Sequence, residues 1–135
     1  MGVGSSARPR VRLRSVVLDC PDPAALASFY ADLLDARANT DDEDWCEVFP
    51  DEPSLKLAFQ RVDSYQAPQW PDGAPQQSHL DLIVADLAAA SAWAVSLGAT
   101  VQSGLVQEPG GVFMVHADPA GHPFCLFEKR SGRLG

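Results

Sequence analysis

The sequence has no apolar run approaching the length that crosses a bilayer, so a chain that spans no membrane is expected. Cysteine is scarce: Cys20, Cys46 and Cys125 are odd in number and widely spaced. They offer neither a disulfide framework nor the close thiolate pairs of a structural zinc site. The first residues lack an apolar signal core, and a cytoplasmic location is the expectation. Positive charge is also scarce. Ten Lys and Arg against eighteen Asp and Glu give a net charge of −8, which opposes nucleic acid and favours a neutral or cationic ligand. Arg8, Arg10, Arg12 and Arg14 form one local basic cluster, read as a solvated strand edge.

What the 135 residues do contain is ordinary for a single globular domain, with 46% hydrophobic and 21% charged residues. The chain is organised around SHLDLIVADLAAASAWAVSLGA, Ser78 to Ala99, which has a twin in RSVVLDCPDPAALASFYADLLDA, Arg14 to Ala36. An offset of about 64 positions aligns Ser15 with His79, Asp22 with Asp86 and Phe29 with Trp93. In each copy an apolar strand ends in an aspartate placed to accept the free amide protons of a helix's first turn. Pro23 suits the first helical position, and Gly98 suits a left-handed helix end. Leu26, Phe29, Tyr30, Leu33 and Leu34 form one apolar stripe, and Leu87, Ala90, Trp93, Ala94 and Leu97 form another.

Residues 1–10 are expected to be disordered and 129–135 to be a flexible tail. Between them the sequence predicts a strand over Val11–Cys20, a helix over Asp22–Leu34, a polar turn over Asn39–Asp44, and strands over Trp45–Phe49 and Leu55–Val62. A Pro- and Gly-bearing linker, 63–77, joins module 1 (about 11–62) to module 2 (about 78–128). Module 2 is predicted as a strand over His79–Val84, its helix, a short strand over Thr100–Gln102, a turn over Glu108–Gly111, a strand over Val112–Ala117, the DPAG turn Asp118–Gly121, and a closing strand over His122–Glu128.

The joint pattern VVLDCPDPAALASFYADLL, HLDLIVADLAAA and DPAGHPFCLFE resembles the vicinal oxygen chelate superfamily, the glyoxalase, bleomycin-resistance and extradiol-dioxygenase group, over about Val11–Glu128. It looks most like the small glyoxalase-like branch. The resemblance implies an α+β fold of two tandem βαβββ modules whose mixed sheets curl into a cup, usually completed in a homodimer. It also implies four metal-ligand positions, which in this chain are Ser15, Lys56, His79 and Cys125. Only His79 has the expected type. A hydroxyl, an ammonium and a lone thiol at the other three make a poor divalent site, because an ammonium repels a nearby dication. No cofactor is therefore expected, and a divalent metal is the minor alternative.

Strand alternation gives the cup face. With His79 inward, Asp81 and Ile83 share its face; Ser15, Val17 and Asp19 match them in module 1. Lys56 brings Ala58 and Gln60, and Cys125 brings Phe127. The opposite faces, Val16, Leu18 and Cys20 with Leu80, Leu82 and Val84, are apolar and expected to pack under the helices. Buried polar groups need partners. Either the cup face satisfies itself, as with Lys56 to Asp81 and His79 to Ser15, or it awaits a ligand held by Ser15, Lys56, Gln60, His79, Asp81 and Cys125. Trp45, Trp70 and Phe113 are placed to rim the cup and would suit an aromatic ligand. Cys125 reads as a small core-like residue rather than a nucleophile, and His116 and His122 as exposed or capping residues. The leading expectation is a protein that binds a small organic molecule, aromatic or cationic, without a standard metal. The alternatives are a metal-dependent lyase or isomerase of glyoxalase type using His79 as its catalytic residue, and a non-catalytic interaction module.

Overall fold

The computed structural model describes residues 8–10, 13–51 and 55–130. The expected disorder at the chain's ends falls mainly on 1–7 and 131–135, which lie outside the described residues, as do 11 and 12 of the expected first strand. Module 1 comprises β1 (Ser15–Cys20), α1 (Pro23–Leu34), β2 (Arg37–Asp42), β3 (Trp45–Phe49) and β4 (Lys56–Arg61). Module 2 comprises β5 (Leu80–Val84), α2 (Leu87–Ser96), β6 (Thr100–Val101), β7 (Val106–Glu108), β8 (Gly111–Ala117) and β9 (Pro123–Lys129).

Each module makes its own mixed sheet. Sheet A has the order β1-β4-β3-β2 and sheet B the order β5-β9-β8-β6, with β7 also on β8. In both, the strand before the helix pairs in parallel with the module's last strand, β1 with β4 and β5 with β9, and the remaining pairs are antiparallel. The register places Ser15 opposite Lys56, Asp19 opposite Gln60 and Asp81 opposite Cys125, so the faces read from alternation are those the sheets present. This is the α+β architecture of two curled, unclosed sheets.

Both helices start as their sequences dictate. Asp22 Oδ1 accepts from Ala25 N at 3.2 Å and Asp86 Oδ1 from Ala89 N at 3.1 Å, and Pro23 opens α1 where its missing N–H costs nothing. Gly98 follows α2 at φ 121, a conformation that favours glycine. Leu26, Phe29 and Tyr30 of α1 are buried between the two sheets. Tyr30 stacks on Phe59 of β4 at 5.6 Å, and Phe29 meets Phe124 of β9 at 6.1 Å. One core therefore serves both modules. The Tyr30 hydroxyl donates to Asp118 Oδ2 at 2.7 Å, joining the Phe29-Tyr30 pair of α1 to the DPAG turn. Burial, with the Asp118 carboxylate beside it, holds that phenol well above its ordinary pKa.

Four expectations are corrected. Arg37–Asp42 is an edge strand rather than part of a turn; nearly all of it is exposed, so it carries no alternating signal. The exposed strand β7 was likewise not anticipated. Trp93 is 51% exposed rather than core, because α2 turns Leu87, Ser91 and Ala94 inward instead. His116 is fully buried rather than exposed: its Nε2 lies 2.8 Å from Ser91 Oγ and its ring stacks on Phe124 at 5.4 Å. The His116–Ser91 contact accounts for the inward Ser91, since a buried hydroxyl needs a partner. No helix among the described residues is long and apolar enough to cross a membrane.

Candidate functional site

Seven of the candidate cup residues separate onto two sheets rather than converging on one point. On sheet A, Glu47 is the hub. Its Oε2 accepts from Trp45 Nε1 at 3.0 Å and faces Lys56 Nζ at 3.0 Å. Those two partners, the indole first, hold the Glu47 carboxyl below its usual range. Lys56 also lies over the Phe49 ring at 5.6 Å, and the Arg37 guanidinium lies over the same ring at 4.5 Å. Trp45, Glu47 and Lys56 of this face thus engage one another. Trp45 and Gln60 also line a polar cleft at the sheet's end with Asp44, Arg61 and Asp63.

Lys56 therefore pairs with Glu47 rather than Asp81, and His79 pairs with Asp81 rather than Ser15. Glu47 was missed in reading the sequence, although the alternation of WCEVF puts Trp45, Glu47 and Phe49 on one side of β3.

Sheet B presents a different surface. His79, Asp81, Phe113, Cys125 and Phe127 line a cavity of about 530 Å³, with Glu108 from β7 and Trp70 from the linker completing it. His79 Nε2 lies 3.2 Å from Asp81 Oδ1, and both side chains are exposed to the cavity, at 38% and 72%. The donor atoms of His79, Asp81 and Cys125 all lie within 4.8 Å of one another. Burial first, then the Asp81 carboxylate, pushes the Cys125 thiol up to about 11. The thiol is protonated at neutral pH, which makes it a poor nucleophile. Ile83, 72% exposed, extends the apolar wall. Trp70 lines the cavity from the linker, where the sequence placed it as a rim residue, whereas Glu108, which sat in an expected turn, was not assigned to a site from sequence.

His122 is a structural residue. Its Nδ1 lies 2.9 Å from Asp118 Oδ2 and its Nε2 2.7 Å from the Asp19 carbonyl, tying the DPAG turn to the end of β1.

Two curled βαβββ sheets with such a cavity define a protein of the vicinal oxygen chelate superfamily. The family model for the glyoxalase-like domain matches residues 15–127, and the chain belongs to that family. Solved structures with the same fold include a glyoxalase/bleomycin resistance protein/dioxygenase family enzyme from Burkholderia phytofirmans, with TM-score 0.70 and 15% identity over 86% of this chain and 97% of that one. A glyoxalase-related enzyme from Fulvimarina pelagi gives TM-score 0.66 and 19% identity, covering 92% of each chain. A glyoxalase/bleomycin resistance protein from Albidiferax ferrireducens gives 0.64 and 13%, covering 86% of this chain and 97% of that one. No curated protein matches the sequence.

Proposed function

We propose that the protein binds a small organic molecule in the cavity over sheet B, and that the ligand carries an aromatic portion and a positive charge. The observation that carries this reading is the composition of that cavity. Two carboxylates, Asp81 and Glu108, face it together with the rings of Trp70, Phe113 and Phe127. A cavity of about 530 Å³ falls in the ordinary range for small-molecule sites, and aromatic walls with few convergent polar groups are their usual lining. Carboxylates in a chain of net charge −8 favour a cation, and aromatic faces attract one through their quadrupole.

In this reading no metal takes part. The four positions that the family resemblance implies do not suit a divalent ion. Lys56 is an ammonium engaged by Glu47, Ser15 is a hydroxyl opposite it on sheet A, and Cys125 is a single thiol on the other sheet. One observation favours a second reading, in which His79 acts in metal-dependent lyase or isomerase chemistry: the close approach of the His79, Asp81 and Cys125 donors. Metal binding there would have to expel the thiol proton.

A thermal-shift series with 1-methylquinolinium and with nickel, zinc and manganese salts separates the two. The binding reading expects stabilisation by the organic cation that disappears in Asp81→Asn and falls in His79→Ala. Stoichiometric metal in protein purified without chelator, with no response to any organic cation, would replace it with the second reading.

A further inference from the structure

Trp70 belongs to the linker, yet its indole lines the sheet B cavity. It also lines a second cavity, of about 540 Å³, between residues 67–70 and the Asp118–Gly121 turn. One side chain thus partitions two spaces.

The turn that carries it is closed on itself. Gln69 N donates to Ala74 O at 2.8 Å, and Ala74 N donates to Gln69 Oε1 at 3.1 Å. Gly73, at φ 107, closes the ring where any Cβ would collide with the Gln69 side chain. Just before this turn the linker is fastened to module 2. Tyr65 donates to Ala120 O at 2.9 Å, and Ala67 packs so closely on Gly121 that a Cβ there would fall 2.7 Å from the Ala67 Cβ. Past Ala67, the hydrogen bonds of 68–77 among the described residues are to the linker itself or to adjoining Ser78. The result is a small self-bonded turn, fastened to module 2 just before it, with a half-buried Trp70 that lines both cavities.

We propose that Trp70 is the specificity-determining wall of the ligand site: its indole stacks on the planar aromatic portion of the ligand. This deepens the binding reading above and rests on it. Asp81 and Glu108 supply charge recognition on the sheet and cannot distinguish a flat cation from a round one. An indole face favours the flat one, because stacking on a planar partner adds to the cation–π attraction that both share.

The test uses the full chain and two probes of equal charge, 1-methylquinolinium and tetramethylammonium, followed by calorimetry and by the indole N–H resonances of Trp45, Trp70 and Trp93. For 1-methylquinolinium the wild type shifts the Trp70 resonance; Trp70→Ala weakens binding about tenfold or more, and Trp70→Phe, which keeps a ring, by about threefold or less. Tetramethylammonium, which keeps the cation–π attraction but cannot stack, is weakened by Trp70→Ala only by about threefold or less. The Trp70→Phe rescue separates stacking from loss of a folded linker. If 1-methylquinolinium shifts the His79 and Cys125 resonances while Trp70 is silent and Trp70→Ala is neutral, the stacking role is overturned and the binding site stands. If neither probe perturbs His79 or Cys125, both fall together.

Discussion

The two modules answer the same architectural problem with opposite economies. Aspartate caps at Asp22 and Asp86 occupy equivalent positions and do the same work. Phe29 and Trp93 are also equivalent in sequence, yet Phe29 is 4% exposed and Trp93 51%. The first helix lies between the sheets and buries its aromatic pair in the shared core; the second packs through small residues and leaves its large one outside. The cup faces differ in the same way. Sheet A closes its charges into a Trp45, Glu47 and Lys56 network, while sheet B leaves His79, Asp81 and Glu108 facing a cavity. The two modules share one scaffold, and the half whose polar groups face a cavity is the one on which the binding proposal rests.

The sharpest break in that comparison comes from truncating the equivalent aromatics. Phe29→Ala is expected to cost about 3–5 kcal/mol in denaturant unfolding, and Trp93→Ala under about 1 kcal/mol. Unfolding of Phe29→Ala followed by a probe in each module should remain one transition, since one core serves both. Equal costs for the two variants would put α2 and α1 in the same role.

A smaller effect separates the two faces. Glu47→Gln is expected to lose about 1 kcal/mol of stability, because the half-buried Lys56 loses its charged partner, while 1-methylquinolinium affinity stays within about twofold. Asp81→Asn should do the reverse, with little change in stability and a loss of affinity of about tenfold.

The smallest effect is electrostatic and lies behind sheet B. Burial lowers the His116 pKa, so the folded state prefers the neutral ring. For a histidine depressed on folding, the stabilisation is complete above its ordinary value near 6.5 and is lost as pH falls below that, toward the folded value. Wild-type unfolding free energy should therefore fall from about pH 6.5 downward by more than that of His116→Gln, a difference of under about 1 kcal/mol. Parallel pH profiles would show that His116 is no more costly to charge when folded than unfolded.

Much of the scaffold was legible because it repeats local signals. The caps, the α1 stripe, the linker and the period-two faces of β1, β4, β5 and β9 all appear in consecutive residues. β2 and β7 were not legible, since an edge strand wet on both sides has no alternation to read. The rotation of α2 was hidden for a related reason: LAAASAWAVS offers small apolar residues all round, and a single tryptophan does not say which side faces in. At the site, alternation correctly put His79, Asp81, Cys125 and Phe127 together. It gave no means of seeing that Glu47 would engage Lys56 across β3 and β4, or against which sheet the linker would set the rim residue Trp70. Both depend on long-range register, which residue order alone does not carry.

The central claim is that sheet B, and not sheet A, holds the ligand. Amide and side-chain shifts recorded while 1-methylquinolinium is titrated into the full chain test it directly. The account predicts saturable shifts confined to the lining of the sheet B cavity, His79, Asp81, Glu108, Phe113, Cys125, Phe127 and Trp70 among them. Shifts centred instead on Trp45, Glu47 and Lys56 would contradict it.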